Sequence, residues 1–436
     1  MKSFAPSNGP LGVLGPIELA EFREYLDESA LDDSSPRGMG GTPVTLLCKE
    51  LLQRGCDLAV FTVDPSIETE KVFEGPRLRI HFGPYSARDA TNFFRRERES
   101  LLRAIGRERP AFLHAHFTYE YALAAVESGL PHVVTAHDAA LNCLRYAFIP
   151  PLQTSRTFKD HYKRARGIVF SVMRTVMAYK VARRAQSVVA VSPYVADHLR
   201  RYRFRAGRID VVSNGMPAVH FERPRNREPD GAFTFATVLP QWNSLKNGGA
   251  AIEAFAKVKK VLPEAQMLMF GAGHSADGLA AAWAGKKGLR GGIEFIGPVP
   301  HAKVIDLLSR RVDVLVHPSL EESQGMPLIE AMSLGIPAIG GDRAGGVPWT
   351  LGNGEYGVLV DVRSPDRIAS AMLRLAQDAD TRARLGAAGR EFARRRFHIE
   401  QVADQYEAIY AEGAAQRSLA VDAATERSHL RGNSGA

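Results

Sequence analysis

Short apolar, β-branched runs alternate with longer amphipathic stretches along almost the whole chain, and this alternation restricts the fold more than any other feature. LGVL (11–14), LAVFTV (58–63), LRIHF (78–82), AFLHAH (111–116), HVVTAH (132–137), SVVAVS (187–192) and IDVVSNG (209–215) are the strands expected in the first half. FTFATVL (233–239), AQMLMFG (265–271), GIEFIG (292–297), VDVLVHP (312–318), IPAIGG (336–341) and YGVLVDV (356–362) are those of the second. Helical patterns such as TPVTLLCKELLQRG (42–55) lie between them. A strand apolar on consecutive residues needs cover on both faces, and helices between successive strands supply it, so a parallel sheet follows. The pattern pauses once, at PAVHFERPRNREPDG (217–231), where three prolines and many charges show no periodicity. The expected class is therefore α/β, with two Rossmann-like, doubly wound domains in tandem facing a cleft. The first covers residues 1–217, a linker 218–231, and the second 232–397. Of a long helical stretch from about 365 to 412, the part 398–412 is expected to pack back on the first domain. The polar end, 413–436, is expected to be disordered.

At 436 residues and 45% hydrophobic content the chain can bury two sizeable cores. Its formal charge of +8 favours anionic partners, but 48 acids accompany 56 bases. Neither the aromatic–basic signatures of RNA modules nor Cys/His zinc spacing occurs, so no nucleic-acid partner is expected. Cys48, Cys56 and Cys143, an odd number in a large chain, suit a reduced, cytoplasmic protein better than a disulfide framework. The N-terminus has no uninterrupted apolar region of the signal-peptide kind. GIVFSVMRTVMAYKVA (167–182) is broken by Arg174 and Lys180 and does not read as a membrane span.

In open α/β sheets ligands bind at the carboxyl ends of the strands. One such end carries SLEESQGMPLIEAMSLG (319–335). Pro327 is comfortable only in a first helical turn, which puts the helix start near Gly325 or Met326. The free amides of that turn and the positive end of the helix dipole form an anion site, and Gly325 lets a phosphate come close. Glu322 and Glu330 would flank the anion. Carboxylates accept hydrogen bonds from vicinal hydroxyls, so a nucleotide sugar, an anion between two hydroxyl-rich rings, suits the pattern. Acids that merely complement the helix dipole are the plainer explanation.

From these residues the chain resembles the retaining glycosyltransferases of family 4, of the GT-B architecture, over roughly residues 38–410. Glu322 and Glu330 match the family's Glu-x7-Glu motif, followed by GGDRAGGVPW (340–349) and GVLVDVRSP (357–365). FATVLPQWNSLKN (235–247) is similar to the segment that carries the donor-diphosphate lysine, here Lys246. GMGGTPVTLLCKELLQRG (38–55), VVTAHD (133–138), VSPYV (191–195) and VVSNGM (211–216) follow the family's order in the first half. The resemblance implies a metal-independent hexosyltransferase without a cofactor, acting between a nucleotide diphosphate sugar and a glycan, lipid-linked or small-molecule acceptor. It implies that Glu330 holds the ribose and Glu322 the transferred sugar. Lys246, with Gly325 and Met326, would neutralise the diphosphate, and His137 would face the donor sugar. Gly40 and Gly41 would approach phosphates or acceptor from the other domain. Base contacts would come from backbone around Gly271 to Gly273 and Gly297 to Val299. Gln241 stands where the family has an arginine, Asn243 is a candidate to compensate for it, and Gln324 and Trp349 also depart from the pattern. An epimerase or an inert binding protein of the same architecture is the alternative. The segment 17–38 suggests a helical insertion near the acceptor side.

Other features point elsewhere. GAGHSA (271–276) fits a loose dinucleotide fingerprint, with Glu294 as a ribose-binding acid, and keeps an NAD-dependent oxidoreductase as a remote alternative. His114 and His116 are expected on opposite faces of their strand, His114 in the core. His317 is expected to pack beneath the glutamate loop. The basic run 156–184, interleaved with aromatic residues and methionines, is either a solvated helix face or a peripheral membrane contact.

Overall fold

The computed structural model describes residues 9–27, 31–32, 34–148, 158–201, 209–222, 227 and 231–414. The expected tail from 415 on, and linker residues 223–226 and 228–230, lie outside them. Among the described residues fourteen strands form two sheets. The first contains β1 (Leu11–Leu14), β2 (Leu58–Asp64), β3 (Lys71–Gly75), β4 (Leu78–Pro84), β5 (Phe112–His116), β6 (His132–Ala136), β7 (Ser187–Ala190) and β8 (Ile209–Val211), in the spatial order β3-β4-β2-β1-β5-β6-β7-β8. The second contains β9 (Thr234–Gln241), β10 (Gln266–Ala272), β11 (Ile293–Gly297), β12 (Val314–Val316), β13 (Ala338–Gly341) and β14 (Val358–Val360), in the order β11-β10-β9-β12-β13-β14. Every pairing is parallel except β3 with β4. β3 is absent from the expected set because it is an edge strand with only Phe73 buried, so it lacks the apolar, β-branched character by which the others are read.

Each sheet is covered on both faces. Over one face of the first sheet lie Phe61, Leu113, Val134, Tyr121 and Val188. Over the other lie Val13, Val60, Val133 and Leu51, and there residues of the last described helix join them. Val402, Ala403, Tyr406 and Tyr410, from the helix at 399–414, are buried in this cluster. Each large apolar side chain buried there contributes about 1.5–3 kcal/mol. The crossing back is fixed by backbone pairing at the junction: Met216 N–H donates to Phe397 O at 2.7 Å, and Ile399 N–H to Met216 O at 2.9 Å.

Two expected helices take another form. The stretch from 365 is three helices, Pro365–Gln377, Ala379–Phe397 and 399–414. Asp378 breaks the first join because its carboxylate accepts from Thr381 N–H at 2.9 Å and so starts a new helix. Residues 17–38 contain a short 3-10 turn, Leu19–Tyr25, which anchors Leu19 and Phe22 in the core, while 28–30 and 33 lie outside the described residues. The basic run forms the 27-residue helix Phe158–Arg184. No described helix is long and apolar enough to cross a membrane.

Candidate active site

Between the two sheets runs a cleft of about 630 Å³, lined by residues from both. Its second-domain wall is made of strand ends. Leu239 and Pro240 come from the end of β9, Gly271 from the end of β10, Gly297 and Val299 from the end of β11 and the loop after it, and Glu321 to Gly325 from the loop after β12. The helix Met326–Ser333 starts at this wall, with Gly325 as its N-cap at φ +88° and Pro327 in its first turn. Gly271, at φ +112°, has no room for a side chain: a Cβ there would stand 1.7 Å from Leu239 O.

The centre of this wall is an ion pair. Lys246 Nζ lies 2.6 Å from Glu322 Oε1, and His317 Nε2 lies 3.1 Å from the same oxygen. Burial pushes the Glu322 carboxyl up, but the Lys246 charge, with the His317 and Lys246 hydrogen bonds, wins and holds it far below the usual carboxylate range. Lys246 is positioned by its own loop. Asn243 Oδ1 accepts from Lys246 N–H at 2.9 Å, and Asn247 Nδ2 donates to Pro318 O and Val362 O at 3.1 and 2.8 Å. One turn into the helix, Glu330 Oε1 lies 3.0 Å from His301 Nε2 at the start of the helix His301–Arg311. Burial opposes protonation of His301, but the bond and charge of Glu330, with Glu21 and Glu18 beyond, raise it above the ordinary histidine value.

The first-domain wall is different in kind. His137, just after β6, lies with Nε2 2.9 Å from His116 Nδ1 and its ring 4.6 Å from that of Phe117. Burial lowers the His137 pKa to about 3 and that of His116 well below its ordinary value. His114 and His116 share one face, their rings 3.9 Å apart, as two residues separated by two on a strand must, so the expectation of opposite faces was wrong. His114 is fully buried, bonded through Nδ1 to Tyr410 Oη and through Nε2 to Thr135 Oγ1, both at 2.7 Å. Asp138 accepts from Tyr119 Oη at 2.6 Å, and Arg174 stacks over the Tyr119 ring at 4.2 Å. Arg174 thus faces inward and is no part of a solvated basic face.

The structure brings Glu322, Lys246, His137, Glu330, Gly325, Met326, Gly271, Gly297 and Val299 to one cleft. Gln241 is exposed at the end of β9 and does not line it, nor do Asn243 and Gly273. Gly40 and Gly41 precede the helix Thr42–Gln53, and their turn reaches the cleft through Arg37, Thr42 and Pro43. Among the described residues no group of three His, Cys, Asp or Glu side chains is placed to hold a metal ion.

Comparison with known proteins agrees with this architecture. The model described as "Glycosyltransferase Family 4" matches residues 40–218, and "Glycosyl transferases group 1" matches 221–392. The chain belongs to this glycosyltransferase family. Its fold is GT-B: sucrose-phosphate synthase from Thermosynechococcus elongatus superposes with a TM-score of 0.71 at 20% identity, over 94% of this chain and 100% of that one. HepE of Anabaena, solved with UDP-glucose, superposes with a TM-score of 0.64 at 14% identity, over 93% and 100%. The D-inositol 3-phosphate glycosyltransferase of Corynebacterium kroppenstedtii is 32% identical over 203 residues, 43% of this chain. The match spans 44% of that relative, so the chain covers less than half of its length.

Within this family member several residues of the cleft escaped sequence reasoning. His301 carries no motif and reaches Glu330 from a different strand-to-helix unit. Glu321 is a clamp: Asn142 Nδ2 donates to it at 3.0 Å, and the Tyr194 hydroxyl bonds it too. Gln324 accepts from Asn214 N–H at 2.9 Å. VSPYV and VVSNGM therefore grip the glutamate loop of the other domain, and GGDRAGGVPW holds it from behind through Gly346 N–H to Glu322 O at 2.7 Å. His317, expected merely to pack, bonds Glu322. The oxidoreductase alternative loses its acid, because Glu294 lies near the start of β11 and pairs with Arg311 at 2.7 Å.

Proposed function

We propose that the protein is a retaining, metal-independent hexosyltransferase that uses a nucleotide diphosphate sugar and glycosylates a hydroxyl of a glycan, lipid-linked or small-molecule acceptor in the cytoplasm. The observation that carries this reading is the Lys246–Glu322–His317 cluster beside the N-terminus of the helix Met326–Ser333, inside a cleft walled by both domains. A diphosphate at that helix end meets the dipole and Lys246. As the glycosidic bond breaks, negative charge grows on the departing phosphate, and a cation already in place stabilises it without reorganisation. That role supplies locally what a divalent ion supplies elsewhere, which supports metal independence. In the free protein Lys246 is held by Glu322, so the donor must draw the lysine over while its sugar hydroxyls take the carboxylate. Glu330, oriented by His301, is placed to accept from ribose hydroxyls. Arg37, which lines the cleft from the opposite domain, is a second cation for the diphosphate where Gln241 is not. Retention follows the family resemblance, as does His137 beside the donor sugar. The segment 156–184 is the part we assign to a peripheral membrane contact.

The test incubates the protein with UDP-, GDP-, ADP- and dTDP-hexoses and a panel of glycan, lipid-linked and small-molecule hydroxyl acceptors in EDTA, and follows nucleotide release and the anomeric configuration of the glycosylated acceptor by NMR. One donor consumed in EDTA, with an α-linked product from an α-linked donor, is the expected result. An epimerised nucleotide sugar without transfer, or no binding of any nucleoside diphosphate, would replace the reading with the epimerase or the inert alternative.

A further inference from the structure

The helix Phe158–Arg184 is apolar on both sides. Its inward face buries Met177, Ala178, Val181 and Ala182 against the first-domain core. Its outward face carries Tyr162, Val169, Val172, Val176 and Tyr179, spaced by seven, three, four and three residues and therefore aligned along one stripe. These five are 61%, 46%, 38%, 37% and 45% exposed, and they are five of the eleven exposed large hydrophobic residues among those described. A sixth, Phe148, is tied to the same helix through its carbonyl, which accepts from Arg164 at 2.8 Å. A surface helix of a globular protein ordinarily turns polar residues outward, so a stripe of this length calls for an occupant.

Charge identifies the occupant. Seven lysines and arginines lie between residues 161 and 184, whereas no Asp or Glu occurs from 161 to 196. Arg174 turns inward and Lys180 lies over the Phe93 ring, but Arg166, Arg183 and Arg184 are exposed beside the stripe. An apolar stripe bordered by bases with no acid matches the boundary of an anionic bilayer, where acyl chains take the valines and headgroup phosphates the arginines. We infer that this stripe is a membrane-docking face, with Tyr162, Val169, Val172, Val176 and Tyr179 entering the lipid interface and Arg183 and Arg184 on the headgroups. This deepens the peripheral contact proposed above and is independent of the transfer chemistry. The same helix is joined to the cleft floor, since Thr175 donates to Ala140 O at 3.3 Å just beyond His137 and Asp138. Docking therefore sets the acceptor side of the cleft close to the lipid surface.

Flotation of the full chain with vesicles of phosphatidylcholine alone, or mixed with phosphatidylglycerol, tests the inference at low and at high salt. Binding to the anionic vesicles is expected, with Arg183→Ala plus Arg184→Ala weakening it roughly 30-fold and the Val172→Glu plus Val176→Glu variant abolishing it at unchanged melting temperature. Lys246→Ala should bind vesicles like the parent, so failed transfer and failed docking are told apart. Absence of binding to anionic vesicles at low salt would overturn the inference, as would binding that ignores both stripe and arginine substitutions. A dimer in sedimentation that the valine substitutions dissociate would overturn it too, by assigning the stripe to a second copy of the chain.

Discussion

The two walls of the cleft handle charge in opposite ways. The second-domain wall concentrates it: Lys246, Glu322 and His317 meet within 3.1 Å, and His301 is held toward its cation by Glu330. The first-domain wall keeps its histidines free of it, although Glu18, Arg37 and Asp138 also line that side: His114, His116 and His137 are packed against one another and against Thr135, Tyr406 and Tyr410, and burial keeps the three rings neutral. The difference teaches which wall is prepared for a polyanion. Paired charges can be re-paired by an incoming diphosphate and its sugar, whereas neutral rings offer only directional hydrogen bonds in a dry setting.

Breaking the charged wall should have the largest effect. Lys246→Ala and Glu322→Ala are each expected to lower kcat by about 100- to 1,000-fold, the scale of losing one preorganised electrostatic contact. Lys246→Ala should also cost about 3 kcal/mol in urea unfolding, because Glu322 is left without its cation. If Lys246→Met keeps both rate and stability, the ion pair is incidental.

Acid should sharpen the contrast next. A histidine whose folded pKa is depressed takes up its proton only in the unfolded chain, so its stability contribution is complete above pH 6.5 and is lost as pH falls toward about 3 for His137 and His114. Between pH 7.5 and 5.5 each neutral-wall histidine should therefore subtract about 1.4 kcal/mol from the unfolding free energy. His301 has the opposite sign: its bond to Glu330 is complete below the ordinary histidine pKa and is lost as pH rises through its raised value. Glu322 adds nothing to this window, since its contribution is lost only as pH falls below the ordinary carboxylate range. Urea melts of the parent and of His116→Asn check this, the variant flattening the slope. An unchanged slope would show that the His116 ring takes up its proton alike in the folded and unfolded chain, against the depression expected from its burial.

Smaller effects should follow at the edges. His301→Gln is expected to raise the donor KM about five-fold with little change in kcat, as loss of one hydrogen bond to Glu330 would. Gln324→Ala, which removes the acceptor for Asn214 N–H, should cost about 1 kcal/mol and leave donor affinity within two-fold. Equal damage to kcat from both would erase the distinction between wall and clamp.

The sheets were legible because parallel strands buried on both faces write apolar, β-branched runs into the chain, and thirteen of the fourteen strands fall on expected ones, although Arg79, Asp210 and Glu294 interrupt β4, β8 and β11. The other, β3, writes only Phe73 inward. Glu322, Glu330 and Lys246 were legible through spacing around a glycine, a proline and a strand end. His301, Glu321 and Gln324 were not, because what they do depends on partners 29, 127 and 110 residues away that only the assembled fold brings near. His116 was misjudged through a slip in strand periodicity, and Arg174 through charge alone, since a basic residue within a basic run gives no sign of which way it turns.

The return of the helix at 399–414 to the first sheet has a consequence for synthesis. Tyr410 and Tyr406 bond His114 and the Thr135 hydroxyl beneath the strands that present His116 and His137, yet they leave the ribosome after the whole second domain. At the usual pace of translation the first domain waits roughly 10–40 s, with that groove open, for the helix at 399–414 that closes it. The half made first is therefore finished only after the second half, and in the newborn protein the neutral wall matures once the helix at 399–414 has emerged.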